Sequence, residues 1–417
     1  MRNDARFLTY KILNHYENNN TKLSDSINHI FLKYKPNNLS KSRSKILSNE
    51  IVRFMGRLDL MIEYISGKKI DRIELPVLSL LRIGFYEINL EQNIPQYAAV
   101  DSVVKIAKNN LHQKAKGFVN AVLRNLTKKI KLNPDWNVNL KIMDEWLSIP
   151  NWIKRRWEKQ FGVKNAIKLV KKINQRPLNY IRIEPNLISI RDVEILLLEE
   201  GINAEKYSNI FLKISNGFRK ILKMELFKRG IISIQNPASA GAVNCLDVNP
   251  GEKILDVCAA PGTKTLYLSN LVGSSGKIFA SDILKKRVDL GILDMKRHGR
   301  KNIKWDVKDA SKDVFPMIDK IFIDAPCSGT GVIGRKPDIK WRIKPNDLVK
   351  MSLKQLEILE NCKKYLNLNG VIVYSTCSLE QEENWNVVVQ FLNLNKNFVV
   401  DKLPIHIQKK WIDSKGC

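Results

Sequence analysis

The chain has 417 residues, too many for one ordinary hydrophobic core and enough for two or three domains. With 44% hydrophobic and 27% charged residues, it is typical of a globular protein and not of a disordered one. No apolar run reaches the roughly 20 residues that a membrane span needs, and Met1–Arg6 lacks the apolar core of a secretory signal. We therefore expect a cytoplasmic protein that does not bind membranes.

The net charge of +28 predicts an acidic partner. Nucleic acid is the leading candidate, because cationic side chains that neutralise phosphates release counterions. The chain is also rich in Lys, Asn and Ile, as an AT-biased genome would make it. Part of the lysine excess can therefore be explained by base composition and does not require a functional role.

The six cysteines all lie in the second half of the chain, at positions 245, 258, 327, 362, 377 and 417. None forms a Cys-x-x-Cys pair, and no histidine stands at metal-ligand spacing. We expect reduced thiols, with neither a disulfide framework nor a metal centre.

Residues 1–132 are predicted to form an all-α domain. Apolar residues recur at three- and four-residue spacing in Val77–Ile88 and Val103–Leu111. Pro76 and Pro95 stand at or near the predicted helix starts, where proline is tolerated.

Residues 133–235 are predicted to form a small α+β region that contacts RNA. Several prolines interrupt it, and Tyr180–Ile183 alternates as a strand does. Trp152–Trp157 interleaves aromatic rings with cations, a pattern that can hold RNA by phosphate contacts and stacking. The same segment equally fits an amphipathic helix whose tryptophans belong to the core.

Residues 236–417 are predicted to form a Rossmann-like α/β domain with a parallel, doubly wound sheet. Short apolar strands alternate there with helical segments, which is the pattern of βαβ units. The predicted strands are Lys253–Val257, Lys277–Ser281, Ile303–Val307, Lys320–Ile323 and Val371–Tyr374.

The loop after the first of these strands predicts a cofactor pocket, because small residues at a strand-to-helix turn let a ligand approach the backbone. It is not a Walker A motif, since Thr263 stands where that motif needs glycine, and Gly-x-Gly-x-x-Gly is also missing. The candidate cofactor-binding residues of this loop are Cys258, Ala259, Ala260, Pro261, Gly262, Thr263 and Lys264.

Two acids follow the next two strands. Asp282 stands 282 − 262 = 20 residues beyond Gly262, where an acid can accept hydrogen bonds from both ribose hydroxyls of an adenosine. Asp309 is placed to reach the exocyclic amine of adenine. An adenosine cofactor without a pyrophosphate cradle indicates S-adenosylmethionine. Each acid alone is more often a strand-end cap, so the prediction depends on the ordered series.

Two thiols follow the last two predicted strands. Cys327 comes after the apolar run Ile321–Ile323, and Cys377 comes after Val371–Val373. The carboxyl ends of parallel strands form the ligand-binding edge of such a sheet, so both thiols can face one substrate. Either cysteine alone would fit a packed core residue better. The two cysteines together, at matching strand ends, favour a catalytic role.

Three segments strongly resemble the RNA cytosine-5 methyltransferases: Asp256–Thr265, Asp324–Trp341 and Tyr374–Asn384. Within that family the chain resembles the bacterial Sun/RsmB (Fmu) group, which methylates 16S ribosomal RNA. The resemblance implies S-adenosylmethionine as the cofactor and 16S ribosomal RNA as the partner. We expect a monomer. The helical front end is similar to the NusB-like RNA-binding domain of that group at Leu81–Tyr86, Pro95–Val100 and Gly117–Arg124.

The resemblance also implies roles for single residues. Carbon 5 of cytosine becomes a nucleophile only after a thiolate adds at carbon 6. In the family this attack falls to the Thr-Cys cysteine, here Cys377, while the Pro-Cys cysteine, here Cys327, assists the later elimination. Asp324 is implied to hold the cytosine edge around N3 and to line the cofactor pocket. Lys264 is implied to lie near the base; its alternative is a surface lysine of a first helical turn.

The chain departs from the family pattern twice. Thr263 replaces the second glycine of Pro-Gly-Gly-Lys, which predicts strain if that position has a positive φ. A closing Gly-Asp-Gly-Phe-Phe-type segment is missing at Lys410–Cys417, which predicts an exposed sheet edge. An RNA-binding or assembly protein with an inactive methyltransferase domain is therefore the alternative. A small-molecule or protein methyltransferase would need no paired thiols and would leave the charge unexplained.

Overall fold

The computed structural model describes residues 2–91, 94–407, 409 and 412. Its contacts divide the chain into two compact units, which we call the first unit (1–176 with 332–343) and the second unit (177–331 with 344–417). The predicted boundaries after residues 132 and 235 stay predictions. Within the described ranges, no helix combines the length and the apolar character that a membrane crossing requires.

The first unit is helical, as the sequence predicts. Pro76 stands in the first turn of its fifth helix, where a missing N–H costs no hydrogen bond, and Pro95 caps the sixth. The apolar faces of the first seven helices share one core. The helices are α1 (Ala5–Asn19), α2 (Leu23–Tyr34), α3 (Asn38–Arg53), α4 (Met55–Ser66), α5 (Leu75–Asn89), α6 (Gln96–Asn110), α7 (Gln113–Leu132), α8 (Asn151–Phe161) and α9 (Val163–Ile173).

Helix α8 contains the segment that alternates tryptophan with cations. Trp157 is fully buried, Trp152 is half-buried and Arg155 is exposed. The interpretation of this segment as an amphipathic helix is therefore confirmed. A stacking role for Trp157 is wrong, because its ring is not accessible to a base.

The second unit begins with a small antiparallel sheet. Its strand order is β2-β3-β1-β4, and the predicted strand Tyr180–Ile183 is confirmed as β1, one residue longer than expected. Ile181 and Ile183 pack with Val193 and Leu197 of the covering helix. The elements are β1 (Asn179–Ile183), α10 (Ile190–Glu199), β2 (Ala204–Lys206), β3 (Phe211–Ile214), α11 (Phe218–Ile221), α12 (Glu225–Lys228) and β4 (Ile232–Ile234).

A parallel sheet with helices between its strands follows. The remaining elements are α13 (Pro237–Asn244), β5 (Lys253–Val257), α14 (Thr263–Val272), β6 (Lys277–Asp282), α15 (Lys285–Arg297), β7 (Ile303–Val307), β8 (Ile318–Asp324), α16 (Ile339–Arg342), α17 (Pro345–Cys362), β9 (Leu366–Ser375) and α18 (Trp385–Leu394). Short 3-10 helices span Ile70–Arg72, Val138–Leu140, Asp144–Leu147, Thr330–Val332, Lys363–Tyr365 and Gln381–Glu383.

The parallel sheet has the order β7-β6-β5-β8-β9. The chain moves outward from β5 to β7 and then returns to the other side of β5 with β8. This reversal creates a switch point between β5 and β8, and ligands of such sheets bind at the carboxyl ends of the strands there. The predicted Rossmann-like fold and its parallel sheet are confirmed.

Strand β9 is the last strand on its side of the described sheet. Because it is an edge strand, Val371–Val373 are half-buried, whereas Ile321–Ile323 of β8 are fully buried. In the described ranges no strand pairs with the outer edge of β9. Most of Lys410–Cys417, where the closing segment was predicted to be missing, lies outside the described residues.

Residues 332–343 follow β8 in the sequence but belong to the first unit. Lys340 is fully buried there, and its ammonium donates to the carbonyl of Arg53 and to Oδ1 of Asn174, both at 2.8 Å. The indole N–H of Trp341 donates at 2.7 Å to a main-chain carbonyl of α3. Burial lowers the pKa of Lys340 well below its usual value. The end of the Asp324–Trp341 motif is therefore part of the packing of the first unit.

Candidate active site

Two thiols meet at the carboxyl ends of β8 and β9. Cys327 follows β8 and Cys377 follows β9, and their sulfur atoms lie 3.0 Å apart. The main-chain N–H of Cys377 donates to the sulfur of Cys327 at 3.3 Å. Both are thiols that do not form a disulfide. The structure thus brings together the two thiols that the sequence assigns to one sheet edge.

The surroundings of the two thiols differ. Cys377 is exposed, whereas Cys327 is only partly accessible. The neighbouring sulfur of Cys377, together with burial, raises the pKa of Cys327. Cys377 is therefore the more accessible of the two thiols, and Cys327 holds its proton more firmly than an ordinary cysteine does.

Lys264 and Asp324 form an ion pair at the same sheet edge. Asp324 ends β8, Lys264 lies in the first turn of α14, and the ammonium donates to Oδ1 of the carboxylate. The lysine side chain is only 15% exposed, and its nitrogen also lies 5.5 Å from the ring centroid of Phe322. The alternative of a surface lysine is therefore wrong.

The loop after β5 is tied to β6 and α15. The N–H of Ala259 donates at 2.9 Å to a main-chain carbonyl near the end of β6, and the guanidinium of Arg287 donates to the carbonyl of Ala260. The Ala260–Pro261 peptide bond is cis. Burial raises the pKa of the Cys258 thiol, so this third cysteine does not resemble an activated nucleophile.

The glycine requirement of this loop falls on Gly262. Its φ is +104°, and a Cβ atom there would lie 2.9 Å from the indole of Trp305. Thr263 is the first residue of α14 and has no positive φ. The predicted strain at Thr263 is therefore wrong, because the left-handed conformation belongs to the preceding residue.

Asp282 is buried at the end of β6. Its Oδ1 accepts the N–H of Leu284 at 3.1 Å. Its Oδ2 lies 3.0 Å from Nη1 of Arg287, yet it accepts no well-formed hydrogen bond within the described ranges. A buried carboxylate oxygen with spare accepting capacity fits the ribose of an adenosine, and the collision that a Cβ would make at Gly262 fits a loop built for close packing. These residues fit S-adenosylmethionine.

Asp309 lies after β7 and shapes its own turn. Its Oδ1 accepts the N–H and the hydroxyl of Ser311 at 3.0 and 2.7 Å. Burial alone would raise the pKa of Asp309, but the hydrogen bonds from Ser311 leave it lower than usual. Lys354 and Lys312 lie 3.7 and 3.9 Å from its two oxygens. The turn and the two lysines thus account for these contacts of the Asp309 carboxylate, and its contact with adenine stays a prediction.

A buried carboxylate holds both thiol loops, and the sequence analysis missed it. Glu383 is fully buried and accepts the N–H of Ser328 at 2.7 Å. It also accepts the hydroxyls of Ser328 and Ser378. These serines directly follow Cys327 and Cys377 in the sequence. One side chain therefore fixes the loops that carry the two sulfurs.

Two neighbours complete this network. Gln355 of α17 donates to Glu383 at 3.2 Å and to the carbonyl of Pro326 at 2.8 Å, and the hydroxyl of Tyr374 donates at 2.6 Å to the main-chain carbonyl of Glu383. The only sequence signal was the acid-rich run Glu380–Asn384 after the Thr-Cys motif. Such a run is ordinarily a solvated turn, and nothing in it marks one acid as buried.

Family models match three parts of the chain. Residues 243–415 match "16S rRNA methyltransferase RsmB/F", residues 3–128 match the NusB family, and residues 149–214 match the ferredoxin-like domain of RsmF/B-like methyltransferases. These matches agree with the helical first unit, the small antiparallel sheet and the parallel sheet, in chain order.

Similar proteins and solved structures agree with these matches. The "probable ribosomal RNA small subunit methyltransferase B" of Bacillus subtilis is 31% identical over 82% of this chain and 78% of its own length. The ribosomal RNA small subunit methyltransferase B of Pasteurella multocida is 30% identical over 85% and 79%. The crystal structure of PH0851 has the same fold, with a TM-score of 0.76, 24% identity and coverage of 96% and 92%.

A methyltransferase homologue from Pyrococcus horikoshii is 29% identical, with a TM-score of 0.54 over 62% of this chain and 83% of that chain. The sheet of the second unit is therefore the fold of S-adenosylmethionine-dependent methyltransferases. Since a relative above 30% identity spans most of both chains, and the family models cover all three regions, this chain belongs to the 16S rRNA methyltransferase RsmB/F family.

Proposed function

We propose that this protein transfers a methyl group from S-adenosylmethionine to carbon 5 of a cytosine in 16S ribosomal RNA. The relatives named above are small-subunit ribosomal RNA methyltransferases, which supports the RNA substrate. The observation that carries the carbon-5 chemistry is the pair of sulfur atoms 3.0 Å apart at the cofactor edge of the sheet. Methyl transfer to an oxygen or an exocyclic nitrogen would need no thiol.

The cofactor is held by the loop from Cys258 to Lys264 and by acids at the strand ends. Asp282 would accept hydrogen bonds from the ribose hydroxyls, Asp309 would accept one from the adenine amine, and Asp324 would close the pocket near the reacting base. When bound, S-adenosylmethionine supplies the electrophilic methyl group.

Cys377 is the nucleophile, since its thiol is exposed while Cys327 is partly covered. The Cys377 thiolate adds to carbon 6 of the cytosine, and the ring electrons move toward carbon 5, which becomes nucleophilic. Bound S-adenosylmethionine would supply the methyl group to this carbon and leave as S-adenosylhomocysteine. Asp324 and Lys264 together hold the ring edge around N3, where the ammonium offsets the negative charge that develops. Loss of the proton from carbon 5 and cleavage of the sulfur–carbon 6 bond then release the methylated RNA. Cys327 assists this elimination.

Methyl transfer by cysteine variants tests the proposal. Labelled S-adenosylmethionine and unmethylated 16S RNA are incubated with wild type, Cys377→Ala and Cys327→Ala. Cys377→Ala should transfer no methyl group. Cys327→Ala should accumulate a covalent protein–RNA adduct that migrates slowly in a denaturing gel. Cys245→Ala is the matched control, because Cys245 is another free thiol of the second unit, on α13's C-terminal side.

Two results would contradict the proposal. An adduct that survives Cys377→Ala and disappears with Cys327→Ala would exchange the two roles. Absence of methyl transfer by the wild type, with RNA binding intact, would instead favour an RNA-binding or assembly protein with an inactive methyltransferase domain.

A further inference from the structure

Helix α7 of the first unit carries a row of cations without balancing acids. Its 20 residues contain six Lys or Arg and no Asp or Glu. At 3.6 residues per turn, the four exposed cations fall within an arc of about 100°, opposite the buried face of the helix. In the described part of the chain none of the four takes part in an ion pair. They are Lys114, Arg124, Lys128 and Lys131.

An exposed aromatic ring lies beside this row. Tyr64 of α4 is 49% exposed, and its ring stacks on buried Trp136 with the centroids 5.8 Å apart. The ammonium of Lys129, which is on α7, lies 5.5 Å from the centroid of the Tyr64 ring. Asn125 of α7 donates at 3.2 Å to the carbonyl of Ile65, which holds the end of α4 against α7. A supported ring and a cation are thus presented together.

The acids that flank this surface in the sequence do not cancel its charge. Glu63 is engaged by Lys69 at 3.1 Å and by the N–H of Ile70 at 3.0 Å. Asp135 lies beyond the end of α7. Nearby Lys68, whose ammonium lies 4.6 Å from the ring centroid of Phe118, adds a further cation.

We propose that this surface binds an unpaired, single-stranded segment of the substrate RNA. We call it the α7 surface and define it as Tyr64, Lys114, Arg124, Lys128 and Lys131. The cations lie along one side of the helix and contact phosphates of one strand, and Tyr64 stacks on a base, which are the two contacts that hold single strands without reading sequence. The inference rests on the proposed RNA substrate and assigns that RNA a face on the first unit. A duplex would offer Tyr64 no free base.

The salt dependence of RNA binding tests the charged part. The full chain with all four α7 surface cations changed to Gln is compared with wild type, using a 16S RNA fragment. Each lost single-strand phosphate contact should flatten the slope of log K against log salt by about 0.7, so four should flatten it by roughly 3. Affinity should fall by about 10²- to 10³-fold near 0.1 M salt. Circular dichroism confirms that the variant folds.

A charge-matched control changes four other exposed lysines of the first unit to Gln: Lys22, Lys33, Lys35 and Lys45. They lie on or beside α2 and α3, whereas α7 packs against α4, α5 and α6. The control should keep the wild-type slope. An equal flattening in both variants would mean that net charge alone acts, and would overturn the assignment of a surface.

Substitution of Tyr64 tests the stacking part. Tyr64→Ala should weaken binding of an unstructured RNA by roughly 5- to 150-fold, the effect of losing one stacked base, while Tyr64→Phe should bind like wild type. Wild-type affinity in Tyr64→Ala, or equal weakening for duplex RNA, would overturn the single-strand assignment. Weakened binding of an acidic protein with unchanged RNA affinity would point to a protein partner instead.

The methyl-transfer assay separates this inference from the proposed function. In the four-Gln variant the KM for RNA should rise while kcat at saturating RNA is unchanged, because the substituted residues belong to the first unit and not to the thiol site. Methyl transfer by the wild type with unaltered binding by the variants would refute the α7 surface alone. If the variants lose RNA binding as expected but the wild type transfers no methyl group, only the proposed activity is refuted.

Discussion

Glu383 is the residue on which the geometry of the thiol site depends most. A buried carboxylate is unfavourable unless donors replace its water, and here a main-chain N–H and two hydroxyls do so. Hydrogen bonds to a charged group contribute about 1.5–3 kcal/mol each. Because the donors belong to the serines that directly follow Cys327 and Cys377, these hydrogen bonds hold the two sulfurs close together.

We predict that Glu383→Gln lowers methyl transfer far more than cofactor binding. The amide keeps the shape of the side chain but presents an N–H₂ group to donors, so at least one serine hydroxyl loses its acceptor. Misplacement of a reacting group by about 1 Å can reduce the rate about 10²-fold. We expect a loss of that size in single-turnover methyl transfer, with the affinity for S-adenosylmethionine within about twofold of wild type by calorimetry.

The control for this variant is Glu199→Gln, the same change at an exposed acid at the end of α10. It should leave both rate and affinity unchanged. If Glu383→Gln transfers methyl groups at the wild-type rate, Glu383 does not position the thiols. If cofactor affinity falls as far as the rate, the variant has disturbed the sheet as a whole.

Helices and strands could be predicted where their own residues carry the pattern, without contacts from distant parts of the chain. Strands β5 and β7 have the predicted bounds, and the apolar run of β8 is buried as expected. Glu383 could not be predicted, because it gathers Ser328 and Ser378 from loops 50 positions apart. The segment Trp152–Trp157 was ambiguous for a related reason: burial of Trp157 is set by packing partners that a single helix does not contain.

The turn between β5 and α14 needs glycine at position 262, and this requirement can be tested by substitution. Gly262→Ala should lower the free energy of unfolding by about 1–3 kcal/mol, because alanine is strained at a positive φ, and its methyl group would meet Trp305. The displaced loop should also weaken binding of S-adenosylmethionine at least tenfold. Urea unfolding and calorimetry measure the two effects.

Thr263→Gly is the paired variant for this turn. Thr263 has a helical backbone, so glycine there should cost only a few tenths of a kcal/mol and leave the cofactor affinity unchanged. The reverse ranking, with Thr263→Gly stabilising the protein or tightening the cofactor, would move the glycine requirement to position 263.

At the scale of the whole molecule, the chain crosses between its two units more than once. The first unit takes residues 332–343 from the middle of the methyltransferase sequence, and buried Lys340 holds that segment with two hydrogen bonds. The segment begins two residues after Thr330, whose hydroxyl accepts the N–H of Leu379 in the thiol site. The chain thus leaves the second unit after residue 331 and returns to it at residue 344, and Lys340 is buried in the first unit in between.

Lys340→Ala should destabilise the first unit selectively. The change removes the lysine donor from Oδ1 of Asn174 and from the carbonyl of Arg53, which keeps only the hydroxyl of Ser148 at 3.1 Å. It also opens a cavity, and together these effects cost roughly 3 kcal/mol. Hydrogen exchange followed by mass spectrometry should accelerate in α3 and α9, while β5, β6 and β8 keep their protection, since regions with separate cores open independently. Lys336→Ala, an exposed lysine of the same segment, should change neither. Equal loss of protection in both units would instead show that the chain unfolds as one cooperative body.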